Sequence, residues 1–265
     1  MDNKKKKLLE KVRLFVLDMD GTFYLGNRIF PWSLEFLNRI EQSGREYIFF
    51  TNNSSRTSDD YIIKLEKMNC YIEEKQILTS GDVTIKYLQM HYPEQKVYLV
   101  GTPTVTESFR NAGIHLTEEM PDIVVVSFDI TLTYEKLVKA CHYIRNGALF
   151  MATHLDNNAP TEEGFIPDCG SFCAAITQST GIKPKYLGKP FKETVEMITA
   201  VTGYRPEEMA FVGDRLYTDV ATGVNNGATG ILVLSGEAAL EDIEHSDVKP
   251  DAVYTNIGEI GKDLV

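Results

Sequence analysis

Cysteine is scarce in this 265-residue chain: Cys70, Cys141, Cys169 and Cys173 are the whole complement. Their spacing fits no zinc ribbon, and four thiols over this length are too few for a disulfide framework. A reduced, cytoplasmic setting is the expectation. Long hydrophobic runs are missing as well. Stretches such as Val12 to Leu17 and Ile123 to Val126 stop far short of the roughly 18 apolar residues that a bilayer crossing requires, so no membrane span is expected. Met1 to Lys7 carries four successive lysines followed by neither a long apolar stretch nor a small-residue cleavage site, and it reads as a solvated tail rather than a secretory signal. Basic residues are outnumbered, 27 Lys and Arg against 38 Asp and Glu, for a net charge of −11. With no basic patch beyond the N-terminal lysines, that balance disfavours polyanions and argues against nucleic acid. It leaves small anionic ligands open, because a cation and a few placed lysines or helix N-termini reverse the potential locally. No internal repeat or low-complexity linker is visible.

What is present is an ordinary globular composition, 43% hydrophobic and 25% charged, arranged as short β-branched and aromatic runs alternating with amphipathic stretches. Such alternation predicts an α/β fold with strands feeding crossover helices in a mostly parallel sheet. Three apolar runs end abruptly in polar residues: Val12 to Leu17 at Asp18, Tyr47 to Phe50 at Thr51, and Met209 to Val212 at Gly213 and Asp214. Open α/β sheets bind ligands at the carboxyl ends of their strands, so these three ends are expected to converge on one site. Between the second and third runs lies a segment with its own alternation. Val97 to Val100, Asp122 to Ser127 and Ala148 to Ala152 read as strands, and Val105 to Ala112 and Tyr134 to Arg145 as helices. This predicts an inserted domain at 83–180, within a core made of 1–82 and 181–265.

Four segments carry candidate chemistry. In Asp18-Met19-Asp20-Gly21-Thr22, two carboxylates leave a buried strand ahead of a glycine that permits a sharp turn. One can attack a phosphoryl group (Asp18), while the other (Asp20) protonates a departing alkoxide and later takes a proton from water. Thr51 and Asn52 offer a hydroxyl and a side-chain amide to phosphoryl oxygens, although such residues ahead of a helix usually serve as caps. Lys189, between Gly188 and Pro190, brings an ammonium with little freedom to wander, suited to neutralising an aspartate and a phosphate. Asp214 is placed as an oxygen ligand for Mg2+. Asp219, five residues on, is placed to hold Lys189 or to orient a water. Carboxylates gathered at strand ends repel one another and take up protons unless a cation joins them, so the cluster itself implies a metal.

Taken in order, these segments resemble the four motifs of the haloacid dehalogenase superfamily, subfamily IIA, in the branch similar to NagD and 4-nitrophenylphosphatase enzymes. The resemblance implies a Rossmann-like parallel-sheet core with a large inserted α/β cap domain. It further implies Mg2+ held by Asp18, the backbone carbonyl of Asp20 and Asp214, with a homodimer formed through the cap. The expected activity is hydrolysis of a small phosphorylated metabolite through an aspartyl phosphate, with 4-nitrophenyl phosphate as an artificial substrate. A phosphotransferase or mutase sharing that intermediate, a dehalogenase and a non-catalytic metabolite-binding module are the alternatives. Ala152-Thr153-His154-Leu155-Asp156 and Gly164 to Gly170 also look like this branch, except that His154 stands where relatives commonly have Asn. His154 and Asp156 are the candidate cap contacts to a leaving group.

Overall fold

The computed structural model describes residues 3–161 and 163–264. The chain divides into two compact units, one comprising Met1–Thr51, Tyr61–Leu78 and Lys189–Val265, the other Asn52–Asp60 and Thr79–Gly188. The first unit holds a six-stranded sheet in the order Ala252–Tyr254, Thr229–Val233, Met209–Gly213, Leu14–Leu17, Glu46–Thr51, Ile77–Thr79. Leu14–Leu17 lies at its centre and pairs in parallel with Met209–Gly213 on one side and Glu46–Thr51 on the other. All four of its residues are buried, as expected of a central parallel strand covered on both faces, where an unbroken apolar run replaces alternation. The strand begins at Leu14 rather than Val12, whose N–H donates to Leu9 O at 3.2 Å in the turn that follows the preceding helix. Helix Ser33–Gln42 turns Phe36, Leu37 and Ile40 inward, the spacing of one helical face, and they join Phe15, Phe49, Val212 and Ile231 in the core.

The lysine run is not a tail. From Asn3 to Glu10 the chain is helical, Leu9 is buried, and Lys5 Nζ donates to the Val253 carbonyl at 2.6 Å while lying 4.1 Å from the Tyr254 ring centre. Met1 and Asp2 lie outside the described residues.

The second unit has its own four-stranded parallel sheet, ordered Lys185–Tyr186, Leu149–Ala152, Ile123–Val126, Val97–Val100. Its helices start at side-chain caps that satisfy otherwise orphaned N–H groups. Thr102 accepts from Val105 N ahead of Pro103–Asn111, and Thr133 accepts from Lys136 N ahead of Tyr134–Arg145. This unit is wider than the insert read at 83–180, for local reasons. Thr79 caps helix Ser80–His91, and Lys185–Tyr186 supplies the fourth strand. Within Asn52–Asp60, Ser54 Oγ lies 2.8 Å from Thr153 Oγ1 and accepts from Phe128 N, and Ser55 O accepts from Thr102 Oγ1 at 3.0 Å. Among the described residues no helix is long and apolar enough to cross a membrane.

Candidate active site

The central strand delivers Asp18 to the site. Its backbone N–H donates to Val212 O at 2.9 Å, and the register Leu17↔Val212 and Leu17↔Phe49 sets Asp18 level with Gly213 and Phe50. Asp214 and Thr51 therefore follow directly on the two neighbouring strands. Oxygen atoms of Asp18, Asp214 and Asp219 lie within 4.8 Å of one another. Lys189 Nζ reaches into this group, 2.6 Å from Asp18 Oδ1 and 2.5 Å from Asp219 Oδ1, with Phe50 O at 3.4 Å. Asp219 sits on a single π-helical turn, Leu216–Val220, a wide turn that recurs at functional sites. Its other oxygen, Oδ2, accepts from Arg215 N at 3.2 Å. Gly213 makes room for it: a Cβ there would stand 2.2 Å from Asp219 Cγ.

Charge in this cluster is unbalanced, with three carboxylates against one ammonium. Burial and then the Asp219 charge push the Asp18 carboxyl well above the usual carboxylate range, with Lys189 opposing them and Asp214 adding to them. The same two causes raise Asp214 to about 6 against the hydrogen bond from Glu237 N. Burial works against the Lys189 ammonium, yet Asp18 and Asp219 hold its pKa above the ordinary lysine value. The residues fit a hard divalent cation. Asp214 Oδ1 is buried with no hydrogen-bond partner, whereas Oδ2 accepts from Glu237 N at 2.7 Å, so one oxygen is anchored and the other is left for a ligand. Both Asp219 oxygens are engaged by the protein, which leaves Asp18 and Asp214 as the carboxylates that would share an ion, in the all-oxygen setting that suits Mg2+.

A wall of the site that sequence reasoning missed is the loop Ser235 to Ala238. Ser235 Oγ donates to Gly21 O at 2.8 Å, Ala238 N donates to Asp214 O at 3.0 Å, and Arg215 Nε donates to Glu237 Oε2 at 2.8 Å. The Asp214 carboxylate is wedged between two glycines. A Cβ would stand 2.4 Å from Asp214 Oδ2 at Gly21, whose φ is +81°, and 2.0 Å from it at Gly236. The signal was available, since the buried strand Thr229–Val233 leads into Leu234-Ser235-Gly236 as the other apolar runs lead into their polar ends.

Asp20 is exposed on the turn after Asp18, with a backbone bridge to Tyr24. Thr51 closes its strand and is buried. Asn52, His154 and Asp156 form a second cluster. Asn52 Nδ2 donates to Asp156 Oδ2 at 3.1 Å, His154 Nδ1 is 3.4 Å from that same oxygen, and His154 Nε2 is 3.4 Å from Asp168 Oδ1. His154 is 0% exposed, so its ring presents no surface to a leaving group.

Residues 15–115 match the family model for haloacid dehalogenase-like hydrolases, and residues 186–260 match a second, HAD-hydrolase-like model. An acid sugar phosphatase of Staphylococcus aureus is 32% identical over 254 residues, which cover 95% of this chain and 97% of the relative. Among solved structures, a 4-nitrophenylphosphatase from Thermotoga maritima superposes with a TM-score of 0.94 at 46% identity, covering 97% of this chain and 99% of the other. NagD from E. coli K-12 superposes with a TM-score of 0.89 at 31% identity, covering 96% and 99%.

Proposed function

The chain belongs to the haloacid dehalogenase-like hydrolases and is a phosphatase of the NagD and 4-nitrophenylphosphatase type; on that premise we propose that it hydrolyses small phosphomonoesters, sugar phosphates first among them, through a phosphoryl group carried on Asp18. The observation that carries this reading is the placement of one ammonium, Lys189, against Asp18 inside a group of three carboxylates at strand ends. The sugar-phosphate preference rests on the similarity to acid sugar phosphatases.

An Asp18 oxygen attacks phosphorus and the bond to the leaving oxygen breaks, with the carboxylic acid of Asp20 giving that oxygen its proton. Water then attacks the same phosphorus. Asp20, now a carboxylate, takes the water's proton as the bond to Asp18 breaks, so inorganic phosphate leaves and both aspartates return to their starting states. Asp20 has the exposure that a proton exchange with a leaving alcohol requires. Lys189, fixed by Asp219, offsets negative charge on Asp18 and on the phosphoryl oxygens, which also receive the Thr51 hydroxyl. Mg2+ would be held by Asp18, Asp214 and the Asp20 carbonyl; when bound, it draws Asp18 to its ionised form and screens phosphoryl charge.

The test is phosphate release from a panel of sugar phosphates, nucleoside monophosphates and 4-nitrophenyl phosphate, with and without Mg2+, for wild type and Asp18→Asn. Metal-dependent release that falls at least about 10⁴-fold in the variant is expected. Retention of more than about a hundredth of the activity would refute Asp18 as the nucleophile.

A further inference from the structure

The hydrolysis leaves unused the hydroxyl of Tyr24, a side chain on the same turn as the proton donor Asp20. That turn is closed by its own backbone. Tyr24 N donates to Met19 O at 3.1 Å, Gly21 N donates to Tyr24 O at 2.9 Å, and Asp20 and Tyr24 form a bridge. Gly21, at φ +81°, supplies the left-handed residue that the reversal needs. The Tyr24 ring is 0% exposed in the apolar cluster that includes Met19, Phe23 and Phe49, and Lys64 Nζ stands 4.0 Å from its centre. Backbone and packing together fix the ring relative to the Asp20 main chain. The hydroxyl at its tip is buried and completes no hydrogen bond in this structure, a costly state for a polar group inside a protein.

We propose that the Tyr24 hydroxyl is a positioning group for Asp20: it donates to one carboxyl oxygen and so aims the other at the leaving oxygen and, later, at the attacking water. The proposal rests on the reading of Asp20 as the group that gives and takes that proton. A phenol fits the task because its O–H remains a donor at neutral pH and its ring is held by packing, whereas Asp20 is exposed. After burial, the Asp20 charge is the largest influence raising the Tyr24 pKa, ahead of Tyr61 and Asp18. Of the charged groups around this hydroxyl, Asp20 is therefore the one that bears on it most. Whether protonated or ionised, Asp20 keeps an oxygen that can accept, so the same bond serves both halves of the reaction. The transferred proton moves between Asp20 and the leaving oxygen or water, and the phenol keeps its own. Holding the carboxyl in the productive direction lowers the barrier by orientation alone.

Leaving groups of different acidity separate this role from simple packing. Phenyl phosphate and 4-nitrophenyl phosphate are similar in shape, but 4-nitrophenol is the stronger acid and its oxygen needs less help from a proton donor. We would measure kcat/KM for both esters with Mg2+ present, using wild type, Tyr24→Phe, Asp20→Asn and the double variant. Tyr24→Phe is expected to lose roughly tenfold on phenyl phosphate, the scale of one hydrogen bond to a charged group, and only about twofold on 4-nitrophenyl phosphate. Added to Asp20→Asn, the same change should cost no more than about twofold on either ester, since the group that carries the proton is already gone. Equal losses on both esters, no loss on either, or the tenfold loss repeated on top of Asp20→Asn would make Tyr24 a packing residue and overturn the proposal. Equal losses on both esters in Asp20→Asn itself would instead remove Asp20 as the proton donor, and the proposal with it. If Tyr24→Phe does not fold, fluorine NMR decides: with 3-fluorotyrosine placed at residue 24, the resonance must move when Asp20→Asn is introduced. A signal that stays put refutes the contact.

Discussion

Two clusters of buried charge, one in each unit, are built from similar parts and behave in opposite ways. In the first, Asp18, Asp214 and Asp219 surround Lys189, and a buried oxygen of Asp214 finds no partner. In the second, Asp156 and Asp168 flank His154 with each imidazole nitrogen facing one carboxylate. The first cluster carries two negative charges more than its own cation covers, and it pushes Asp18 and Asp214 toward protonation. In the second, burial works against a charged imidazole while Asp168, Cys169 and Asp156 raise the His154 pKa to about 9, and Nδ1 accepts from Asp156 N at 3.4 Å. Charge left over at strand ends marks where a ligand belongs. The second cluster is not closed either, since His154 Nε2 has no hydrogen-bond partner, but its ring is 0% exposed and belongs to the second unit, not to the strand ends of the first sheet.

Removing one group from each cluster tests that contrast. After Asp18→Asn, the largest effect is expected from Lys189→Met, which strips the first cluster of its ammonium. Turnover should fall about 10³-fold, the scale of losing a placed electrostatic partner, as initial rates with 4-nitrophenyl phosphate will measure. Next come two aspartate-to-asparagine changes of opposite sign. Asp168→Asn removes the carboxylate that faces His154 Nε2 and should cost about 1–3 kcal/mol in urea unfolding, the scale of leaving a buried polar atom less well paired. Asp214→Asn relieves repulsion, so it should raise the Tm of metal-free protein by a few degrees and cancel the rise in Tm expected on adding Mg2+ to the wild type. A lower metal-free Tm in Asp214→Asn would mean that the first cluster is balanced after all.

The pH dependence of stability sharpens the contrast further. The pKa of His154 is raised in the folded state, so its contribution is fully present below the unfolded value of about 6.5 and is lost as pH rises through about 9. A shift of this size corresponds to about 3 kcal/mol. The stability gap between wild type and His154→Asn, measured by urea unfolding, should therefore narrow by about that amount from pH 6 to pH 10. A gap that stays constant across that range would place a neutral imidazole between the two aspartates.

Much of the first cluster is legible in the sequence, and the reason is topological. In a parallel sheet the strands end on one edge, so Asp18, Thr51 and Asp214 can be assigned to a common edge from apolar runs that stop at polar residues. Lys189 and Asp219 follow from motif order, and the structure sets them 2.5 Å apart. The loop that carries Ser235, Gly236 and Glu237 escapes because its strand, Thr229–Val233, was never matched to the other three. The second cluster is half legible. His154 and Asp156 stand out by motif, but nothing local shows that an imidazole will face inward, because that depends on Asp168, fourteen residues away across the hairpin formed by Asn158–Thr161 and Gly164–Pro167. The boundaries of the inserted unit shift for a related reason: Lys185–Tyr186 is too short to read as a strand alone and is recognisable only by its pairing with Leu149–Ala152.

The smallest predicted effect concerns the wedge around Asp214. A methyl group at residue 236 would meet Asp214 Oδ2 at 2.0 Å and Cγ at 2.5 Å, far inside contact distance, so either the carboxylate or the loop must move. Ser235 Oγ on Gly21 O and the Arg215–Glu237 pair hold the loop from both sides, which makes the carboxylate the part that yields. Gly236→Ala should then weaken Mg2+ binding roughly tenfold, about 1.4 kcal/mol, by calorimetric titration, while metal-free Tm changes little because the displaced oxygens were already under repulsion. Opening the Arg215–Glu237 pair with Glu237→Gln in the same protein should return part of the lost affinity, since the loop can then retreat. If affinity does not recover, it is the loop that yields to the added methyl, and Asp214 is fixed by the strand end alone.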